Sequence, residues 1–522
     1  MPSQLHPPVN EGILFADLYE LTMAQLYLRT GMHDTPAQFH AFDRHNPDFG
    51  GHQAGYCVTA GLDDLLAWIE RAQPSQQDLD ALGSLRNGTG GRLFDDAFLT
   101  WLGQQGGFPG VRVLAPAEGR VVHPHAPFAV VEGPLAAAQL LETALLNHLN
   151  YPTLIATRAT RIKQAARGAP VTDFGMRRGH ARGVNAGSRA ALIGGLDGTS
   201  NTGEALTLGA APRGTHAHSL VQAFMAAGMD ELDAFRAYAE TFPDDCLLLL
   251  DTVDTLHSGL PNAITVFEEL RQAGHEPLGV RLDSGDLAHL AIQVAKELDG
   301  AGFASVTITL SNQLDELTIW QILEQIEDEA PRYGVDPAPL IRRLSYGVGT
   351  RLLTSHGAPA LDGVYKLVAL RHGDVWAPTI KRSDTISKAT TPGPKRVFRV
   401  YDERGMATAD LVTLADEQPS AEEPLRLRHP VERTSRTLQP DAIGGIESLL
   451  EVAWEDGRRA SPPPDLATLR GRRHADEERL DPGVRRLINP HIYHVSLSDT
   501  LWRLKQDLLT GPNGNGQASS DR

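Results

Sequence analysis

Six short apolar runs recur along the middle of the chain, and each ends in a turn rich in glycine, aspartate or other polar residues. They cover residues 170–174, 246–251, 278–283, 305–310, 344–348 and 364–370. Such nearly continuous apolarity is typical of strands covered on both faces, and the helical patterns between the runs supply the crossovers that parallel strands need. The pattern therefore predicts an α/β fold, built either as a β/α barrel or as a doubly wound sheet.

The N-terminal part of the chain has a different pattern. It predicts an amphipathic helix over residues 15–28 with Asp17 as its N-cap, a strand over residues 38–42 and a second helix over residues 61–69. Residues 111–131 contain short β-rich pieces broken by proline and glycine, which favours a small antiparallel sheet over a parallel core.

A long helical tract joins these two regions. Residues 134–166 predict two helices that break near Tyr151-Pro152, because the residue before a proline disfavours the α conformation. We interpret the basic residues at its end as a solvated face, namely Arg158, Arg161, Lys163 and Arg167.

The charge and the cysteine content exclude several classes of partner and of structural site. Lys and Arg total 48 and Asp and Glu total 65, which gives a net charge of −17 and argues against nucleic acid or an anionic membrane as a partner. An anionic substrate would then need a locally basic pocket. Cys57 and Cys246 lie far apart without ligand spacing, so neither a disulfide framework nor a structural zinc site is expected. With no signal-like or membrane-spanning run, we expect a cytoplasmic protein.

The candidate binding and catalytic residues lie in the turns that follow the apolar runs, at the strand ends where α/β proteins bind ligands. Residues 175–183 interleave three arginines with three glycines, which suits a phosphate, although arginine-rich turns are more often solvated surface. Arg281 and Asp283 share one face of a strand. Residues 347–350 form a glycine turn that either cradles a monophosphate or is a plain tight turn.

Several of these motifs, in this order, resemble those of the nicotinate phosphoribosyltransferases, a family grouped with the nicotinamide and quinolinate phosphoribosyltransferases. The motifs are Asp17-Leu18-Tyr19, Asp173-Phe174-Gly175, residues 214–219 (GTHAHS), residues 281–286 (RLDSGD), Ser311-Asn312, residues 347–350 (GVGT) and Thr391-Pro392-Gly393. The resemblance implies an irregular β/α barrel joined to a smaller, partly antiparallel α/β domain, in a homodimer whose active sites form where the subunits meet.

The resemblance also implies a reaction in NAD biosynthesis. Nicotinate and 5-phosphoribosyl 1-diphosphate would give nicotinate mononucleotide and diphosphate, with Mg²⁺ as cofactor and with hydrolysis of ATP coupled through a phosphohistidine. His218 is the expected phosphoryl acceptor, but the neighbouring His216 leaves open which imidazole is modified.

Roles for individual residues follow from the same likeness. Phe174 and Tyr19 would sandwich the pyridine ring, with Tyr19 from the neighbouring subunit. Thr215 and Arg281 would contact nicotinate, Arg177 a phosphate, and Asp283 the ribose hydroxyls or the magnesium. Gly349 and Thr350 would bind the ribose 5-phosphate, and the substrate-binding set is completed by Thr199, Ser200, Ser284, Gly285, Asn312 and Gly347.

Ser200 predicts which of two substrates, nicotinate or nicotinamide, the protein uses. Nicotinamide-using relatives have an aspartate at this point, which would accept a hydrogen bond from an amide but would repel a carboxylate. A neutral serine therefore favours nicotinate. The alternatives are a nicotinamide phosphoribosyltransferase and a non-catalytic sensor that binds a pyridine nucleotide.

The domain organisation expected from pattern and resemblance has four parts. Residues 1–135 form an N-terminal α/β domain that is completed by residues 375–440, and residues 136–374 form the barrel with the active site. Acidic or proline-rich linkers at residues 415–424 and 461–465 mark a C-terminal region. Within it, residues 441–505 are expected to be a helical portion and residues 506–522 a disordered tail.

Overall fold

A computed structural model describes residues 10–381 and 389–510, and in it the chain divides into two compact units. Of the described residues, the first unit, here the sheet unit, combines residues 10–48, 52–154, 360–381 and 389–510. The second, here the barrel unit, combines residues 49–51 and 155–359. Among the described residues, no helix is both long enough and apolar enough to cross a membrane.

The helices of the described residues are α1 Leu18–Arg29, α2 Leu62–Arg71, α3 Gln76–Ser84, α4 Asp96–Leu102, α5 Leu135–Gln139, α6 Glu142–Ala165, α7 Ala181–Ile193, α8 Thr202–Thr207, α9 His218–Ala226, α10 Glu231–Thr241, α11 Leu260–Gln272, α12 Leu287–Gly300, α13 Glu316–Glu329, α14 Pro337–Arg342, α15 Thr350–Leu353, α16 Leu466–Glu478 and α17 Asp499–Thr510.

The strands are β1 Pro36–Phe42, β2 Cys57–Val58, β3 Arg112–Ala115, β4 Val121–Val122, β5 Pro127–Pro134, β6 Val171–Asp173, β7 Gly198–Thr199, β8 Leu247–Leu249, β9 Gly279–Leu282, β10 Thr307–Ser311, β11 Leu344–Val348, β12 Val364–His372, β13 Val375–Pro378, β14 Lys395–Tyr401, β15 Ala407–Leu414, β16 Leu425–Arg428, β17 Ser435–Leu438, β18 Gly445–Ser448, β19 Glu451–Glu455, β20 Arg458–Arg459 and β21 Val495–Leu497.

The barrel unit is built on a parallel sheet in the order β7-β6-β11-β10-β9-β8. Five of the six apolar runs form its strands, as predicted. Helices such as α11 and α12 follow the strands, and each buries one apolar face. The irregular β/α barrel predicted from the sequence is confirmed. Its strand order ends at β7 and β8, which are not paired with each other, so the barrel is open. Strand β7 was not predicted, because a strand of two residues is too short to show a hydrophobic periodicity.

The sixth run belongs elsewhere. Strand β12 pairs antiparallel with β1 and β13 in the sheet unit, so its assignment to the parallel series is wrong. Only Tyr365, Val368 and Ala369 of β12 are buried and the rest are half-buried or exposed, so the strand is not covered on both faces as a parallel core strand would be. On the neighbouring strands, Phe39 stacks on Tyr365 with ring centroids 4.8 Å apart.

The sheet unit contains a seven-stranded sheet, a mixed six-stranded sheet and a two-stranded ribbon. The antiparallel pieces predicted within residues 111–131 are confirmed as β3, β4 and the start of β5. Helices α1 and α2 and strand β1 also lie where the pattern places them, and Asp17 is the N-cap of α1, although its carboxylate makes no capping hydrogen bond.

The predicted helix break at Tyr151-Pro152 is wrong. Pro152 lies inside the continuous helix α6, and the break instead falls earlier, between α5 and α6. A proline inside a helix costs about 3 kcal/mol. Burial of the following apolar residues, Leu154 and Ile155, offsets that cost.

The solvated face predicted at the end of α6 is wrong for two of its arginines. Arg158 and Arg161 are buried and pair with the buried carboxylate of Glu316. A pattern based on charge alone cannot distinguish a solvated arginine from one that has a partner far along the chain.

The unit boundaries also differ from the expected ones. The division between units falls within α6, at Leu154 and Ile155, and again near residue 360, rather than at residues 135 and 374. The C-terminal portion is not simply helical, because residues 441–505 include β18 to β21 beside α16 and most of α17. Helix α17 continues to Thr510, so residues 506–510 are ordered; the rest of the expected tail lies outside the described residues.

Candidate active site

The carboxyl end of β6 is organised around Asp173. Its carboxylate is fully buried and accepts hydrogen bonds from Gly175 N, Ser188 Oγ and Thr199 Oγ1, each 2.8 Å long. Burial raises the pKa of Asp173, while these three donors act in the opposite direction and favour the charged form. Asp173 thus ties the end of β6 to α7 and β7.

Phe174 follows directly and owes its position to two glycines. A Cβ atom on Gly347 would lie 2.3 Å from the Phe174 ring, and one on Gly349 would lie 3.1 Å from the Phe174 carbonyl oxygen. The guanidinium of Arg281 lies 5.2 Å from the centroid of the Phe174 ring. An aromatic face and a cation therefore meet at one point of the sheet edge.

Arg281 is the centre of a polar cluster built by three chain segments. Its Nε donates to Ser311 Oγ and one terminal nitrogen donates to Asp283 Oδ1, both at 2.8 Å. The other terminal nitrogen makes a long bond of 3.4 Å to Thr215 Oγ1. Ser311 also donates to Asp283, which fixes the carboxylate. The long bond marks the terminal nitrogen that is held least and is best suited to bind a ligand carboxylate.

His218 lies beside this cluster, at the first residue of α9. Its Nδ1 is 3.0 Å from Thr252 Oγ1, and its Nε2 is 3.9 Å from both Asp251 Oδ1 and Asp283 Oδ2. Asp251 is in turn held by Ser284, whose Oγ donates to Asp251 Oδ2 at 2.5 Å. The His218 side chain is 39% exposed, so a ligand can reach the imidazole between two carboxylates.

His216 is placed very differently, although it is only two residues away. Its Nε2 accepts a hydrogen bond of 3.1 Å from Leu249 N, and its ring packs against Tyr238 with centroids 4.9 Å apart. The residue is only 9% exposed, and burial lowers the pKa of His216. His216 is therefore a neutral core histidine that joins the segment before α9 to β8.

The other predicted barrel residues follow the carboxyl ends of the strands, as expected from the parallel topology. Gly347, Gly349 and Thr350 end β11 and begin α15, while Arg177 is exposed in a 3-10 turn, Met176–Arg178, after Phe174. The others follow neighbouring strands: Ser200 after β7, Ser284 and Gly285 after β9, and Asn312 after β10.

Two predicted residues stand apart from this group. Thr199 is 1% exposed and its hydroxyl is used by Asp173, which suits a positioning role better than contact with substrate. Tyr19 belongs to α1 of the sheet unit, where its side chain is partly exposed and where burial and the carboxylate of Glu142 raise its pKa.

Three residues of the cluster were not singled out as site residues from the sequence: Asp251, Thr252 and Ser311. Asp251 and Thr252 follow β8 and hold His218, and Ser311 ends β10 and holds Arg281. Their position after a buried strand was a usable signal. Their partners, more than 25 residues away along the chain, were not visible in it.

The fold and the site together define a class of protein: a β/α-barrel enzyme that gathers arginine, histidine and carboxylates at the carboxyl ends of its strands. Family models for nicotinate phosphoribosyltransferase match almost the whole chain: the N-terminal domain at residues 14–150, the family model at residues 169–403 and the C-terminal domain at residues 394–505. The chain belongs to the nicotinate phosphoribosyltransferase family.

Individual relatives agree with this assignment. The chain is 37% identical to the nicotinate phosphoribosyltransferase of Bacillus subtilis (strain 168), with 95% of each chain covered. It is 33% identical to that of Caenorhabditis elegans, covering 95% of this chain and 93% of the relative. The crystal structure of human nicotinic acid phosphoribosyltransferase superposes with a TM-score of 0.76 at 30% identity, covering 94% of this chain and 99% of that one.

Proposed function

We propose that this protein is a nicotinate phosphoribosyltransferase that makes nicotinate mononucleotide, a precursor of NAD, and diphosphate. Its substrates are nicotinate and 5-phosphoribosyl 1-diphosphate, and hydrolysis of ATP is coupled to the reaction through His218. The observation that carries the proposal is the joint placement of Phe174, Arg281 and His218 at one sheet edge. Family membership supports the same reaction.

The transfer step requires electrostatic stabilisation rather than a protein nucleophile. The bond between ribose C1 and the diphosphate oxygen breaks with its electron pair on diphosphate, and the pyridine nitrogen forms the new bond to C1. Phe174 offers one face to the pyridine ring, and Arg281 lies within reach of its carboxylate. Arg177 and the turn from Gly347 to Thr350 are proposed to bind the phosphates.

His218 is proposed to couple ATP hydrolysis to this transfer. In the tautomer whose Nδ1–H donates to Thr252 Oγ1, Nε2 keeps its lone pair and is the nitrogen proposed to accept the phosphoryl group. Nε2 takes the γ-phosphoryl group while ADP leaves, and water later cleaves the phosphohistidine to release phosphate. Asp251 and Asp283 flank Nε2, each with a carboxylate oxygen 3.9 Å away. Because Nε2 carries no proton in this tautomer, the hydrogen bond to Thr252 is the contact that orients the ring.

The cluster also fits the Mg²⁺ ion that the family implies. Asp251 Oδ1 is buried without a hydrogen-bond partner, and Asp283 Oδ2 faces the same imidazole nitrogen. Within residues 10–381 and 389–510, no group of three metal-ligating side chains is assembled, so substrate phosphates would complete the coordination. Bound there by Asp251 and Asp283, the ion would neutralise charge on the departing diphosphate.

Nicotinate rather than nicotinamide is the proposed substrate because Ser200 is neutral and Arg281 offers donors to a carboxylate. An acidic side chain at residue 200 would place two carboxylates in one partly buried site. We also propose a homodimer in the cytoplasm, with Tyr19 of the partner subunit completing the pyridine site.

The test measures diphosphate release by the purified protein with nicotinate or nicotinamide, each with and without ATP. We expect turnover of nicotinate, stimulation by ATP, and loss of that stimulation in His218→Ala with slow synthesis retained. Equal turnover of nicotinamide would contradict the Ser200 argument. Binding of nicotinate mononucleotide without turnover of either substrate would instead support the non-catalytic sensor.

A further inference from the structure

The loops after β10 and β11 are neighbours because their strands pair in parallel, with Ser311 opposite Gly347. The first loop carries Asn312 and leads to α13, and the second carries Gly349 and leads to Thr350 at the start of α15. Asn312 has a φ of 94°, in the left-handed region that side chains other than glycine rarely adopt. Surrounding contacts must therefore hold this loop in place.

Asp315 links the two loops through its two carboxylate oxygens. Oδ1 caps α13 by accepting hydrogen bonds from Thr318 N and Thr318 Oγ1, both at 2.8 Å. Oδ2 accepts a hydrogen bond from Arg351, the residue after Thr350. One buried carboxylate thus connects the first turn of α13 to the first turn of α15.

Other buried residues lie close to the Asp315 carboxylate. The guanidinium of Arg158 lies 3.5 Å from Asp315 Oδ2 and 2.9 Å from Glu316 Oε2, and it donates to His356 O just beyond α15. The same guanidinium lies 4.5 Å from the centroid of the Phe49 ring. Burial raises the pKa of Asp315, but the hydrogen bonds from Thr318 and Arg351 outweigh it and the net pKa is lowered.

We infer that Asp315 and Arg351 are positioning residues for the site that takes the ribose 5-phosphate. Their ion pair fixes the start of α15 against the loop of Asn312, so that Thr350 and the Gly349 backbone meet the phosphate without reorganisation. The side chains differ in exposure, 7% for Asp315 and 31% for Arg351, so the pair lies at the border between core and site. This inference rests on the proposed function, because it assigns positioning residues to the phosphate subsite proposed there.

The inference predicts a selective effect on one substrate. In Arg351→Gln, and in Asp315→Asn where that variant folds, we expect the KM for 5-phosphoribosyl 1-diphosphate to rise about tenfold, as expected for one lost charge-assisted contact. The KM for nicotinate and kcat should stay within about twofold of the parent, because the pyridine site lies on β6 and β9. Arg351→Lys should recover part of the loss.

A matched control lies on the same helix. Asp328 of α13 pairs with Arg332, but its side chain is 70% exposed, so Asp328→Asn removes a solvated ion pair. All four variants are compared by steady-state kinetics and thermal unfolding of the full-length protein. We expect Asp328→Asn to match the parent in both measurements.

Each contrary outcome has a separate meaning. An unchanged KM for 5-phosphoribosyl 1-diphosphate in folded Arg351→Gln overturns the inference and leaves the proposed function standing. An equal rise in both KM values shows a general structural role and also overturns it. Failure of the parent protein to form nicotinate mononucleotide overturns the proposed function itself, and this inference with it.

Discussion

Two histidines only two residues apart have opposite environments. His216 is enclosed by Tyr238 and Leu249, whereas the His218 ring is open to ligands between Asp251 and Asp283. The sequence GTHAHS left open which imidazole is modified. The burial of His216 supports His218 as the phosphoryl acceptor.

Replacing His216 by alanine should therefore affect stability and leave ATP coupling intact. The change removes a buried ring and leaves Leu249 N without its acceptor, which should lower the free energy of unfolding by about 2 kcal/mol or more. Thermal unfolding and diphosphate release with and without ATP measure the two properties. Loss of the ATP stimulation at an unchanged melting temperature would show that His216 is the modified residue.

A second prediction at this scale concerns Glu20, next to Tyr19. Burial raises the pKa of Glu20 to about 8, and the hydrogen bonds from Thr143 only partly oppose this shift. The folded state therefore binds a proton that the unfolded chain, with a carboxyl pKa near its ordinary value, releases. The resulting stability is present at low pH and is lost as pH rises toward 8.

We expect Glu20→Gln to flatten this dependence. Between pH 5 and 8, the free energy of unfolding of the variant should fall with pH less steeply than that of the parent, by roughly 1 kcal/mol or more over the interval. Chemical denaturation at several pH values provides the measurement, with the exposed Glu240→Gln as control. Parallel pH profiles for parent and Glu20→Gln would contradict the assignment.

At the scale of elements, the site depends on how closely β6 and β11 approach each other. Tyr346, Gly347 and Val348 pair with Val171, Thr172 and Asp173. This register places the Phe174 ring over Gly347, where a side chain on β11 has no room. Asp173 completes the arrangement by holding the ends of β6 and β7 through its three hydrogen bonds.

Gly347→Ala tests this close approach. The new methyl group would displace the Phe174 ring, so we expect the KM for nicotinate to rise about tenfold or more, together with a lower melting temperature. Gly300→Ala at the end of α12 is a suitable control because its methyl group would meet open space. That control should be neutral or slightly stabilising. An unchanged KM for nicotinate in folded Gly347→Ala would contradict the proposed role of Phe174.

At the scale of the whole molecule, a chain of net charge −17 assembles arginines where an anionic substrate is proposed to bind. Arg281 is placed there by β9, and Arg177 by the turn after β6. Tyr19 belongs to the sheet unit, whereas Phe174, Arg281 and His218 belong to the barrel unit. Its proposed contribution to the partner's active site therefore requires that the protein forms a dimer.

Mixing two defective variants tests this assembly. If Tyr19 serves the partner subunit, a dimer of one Tyr19→Ala and one His218→Ala chain contains one intact site. Random exchange in a twofold-symmetric dimer should then restore about a quarter of the parent's ATP-stimulated activity. Activity of co-expressed and separately purified variants provides the comparison. Absence of recovery in mixed dimers would place Tyr19 in its own subunit's site, and parent-like activity of Tyr19→Ala alone would exclude it from either site.

The sequence by itself determined the parallel strands, the turns at their carboxyl ends and the motifs that carry the family likeness. Hydrophobic periodicity and turn chemistry are local properties, so β6, β8, β9, β10 and β11 were found from short windows. The motifs are also short stretches of sequence, so they could be recognised one by one, and their order along the chain indicated the reaction.

Only the tertiary structure decided matters that depend on partners distant along the chain. It assigned β12 to the antiparallel sheet, buried Arg158 and Arg161 against Glu316, and continued α6 through Pro152. It also enclosed His216 in the core and joined Asp315 to Arg351. Burial and ion pairing arise from packing between segments, and a residue's own neighbours in the sequence do not specify them.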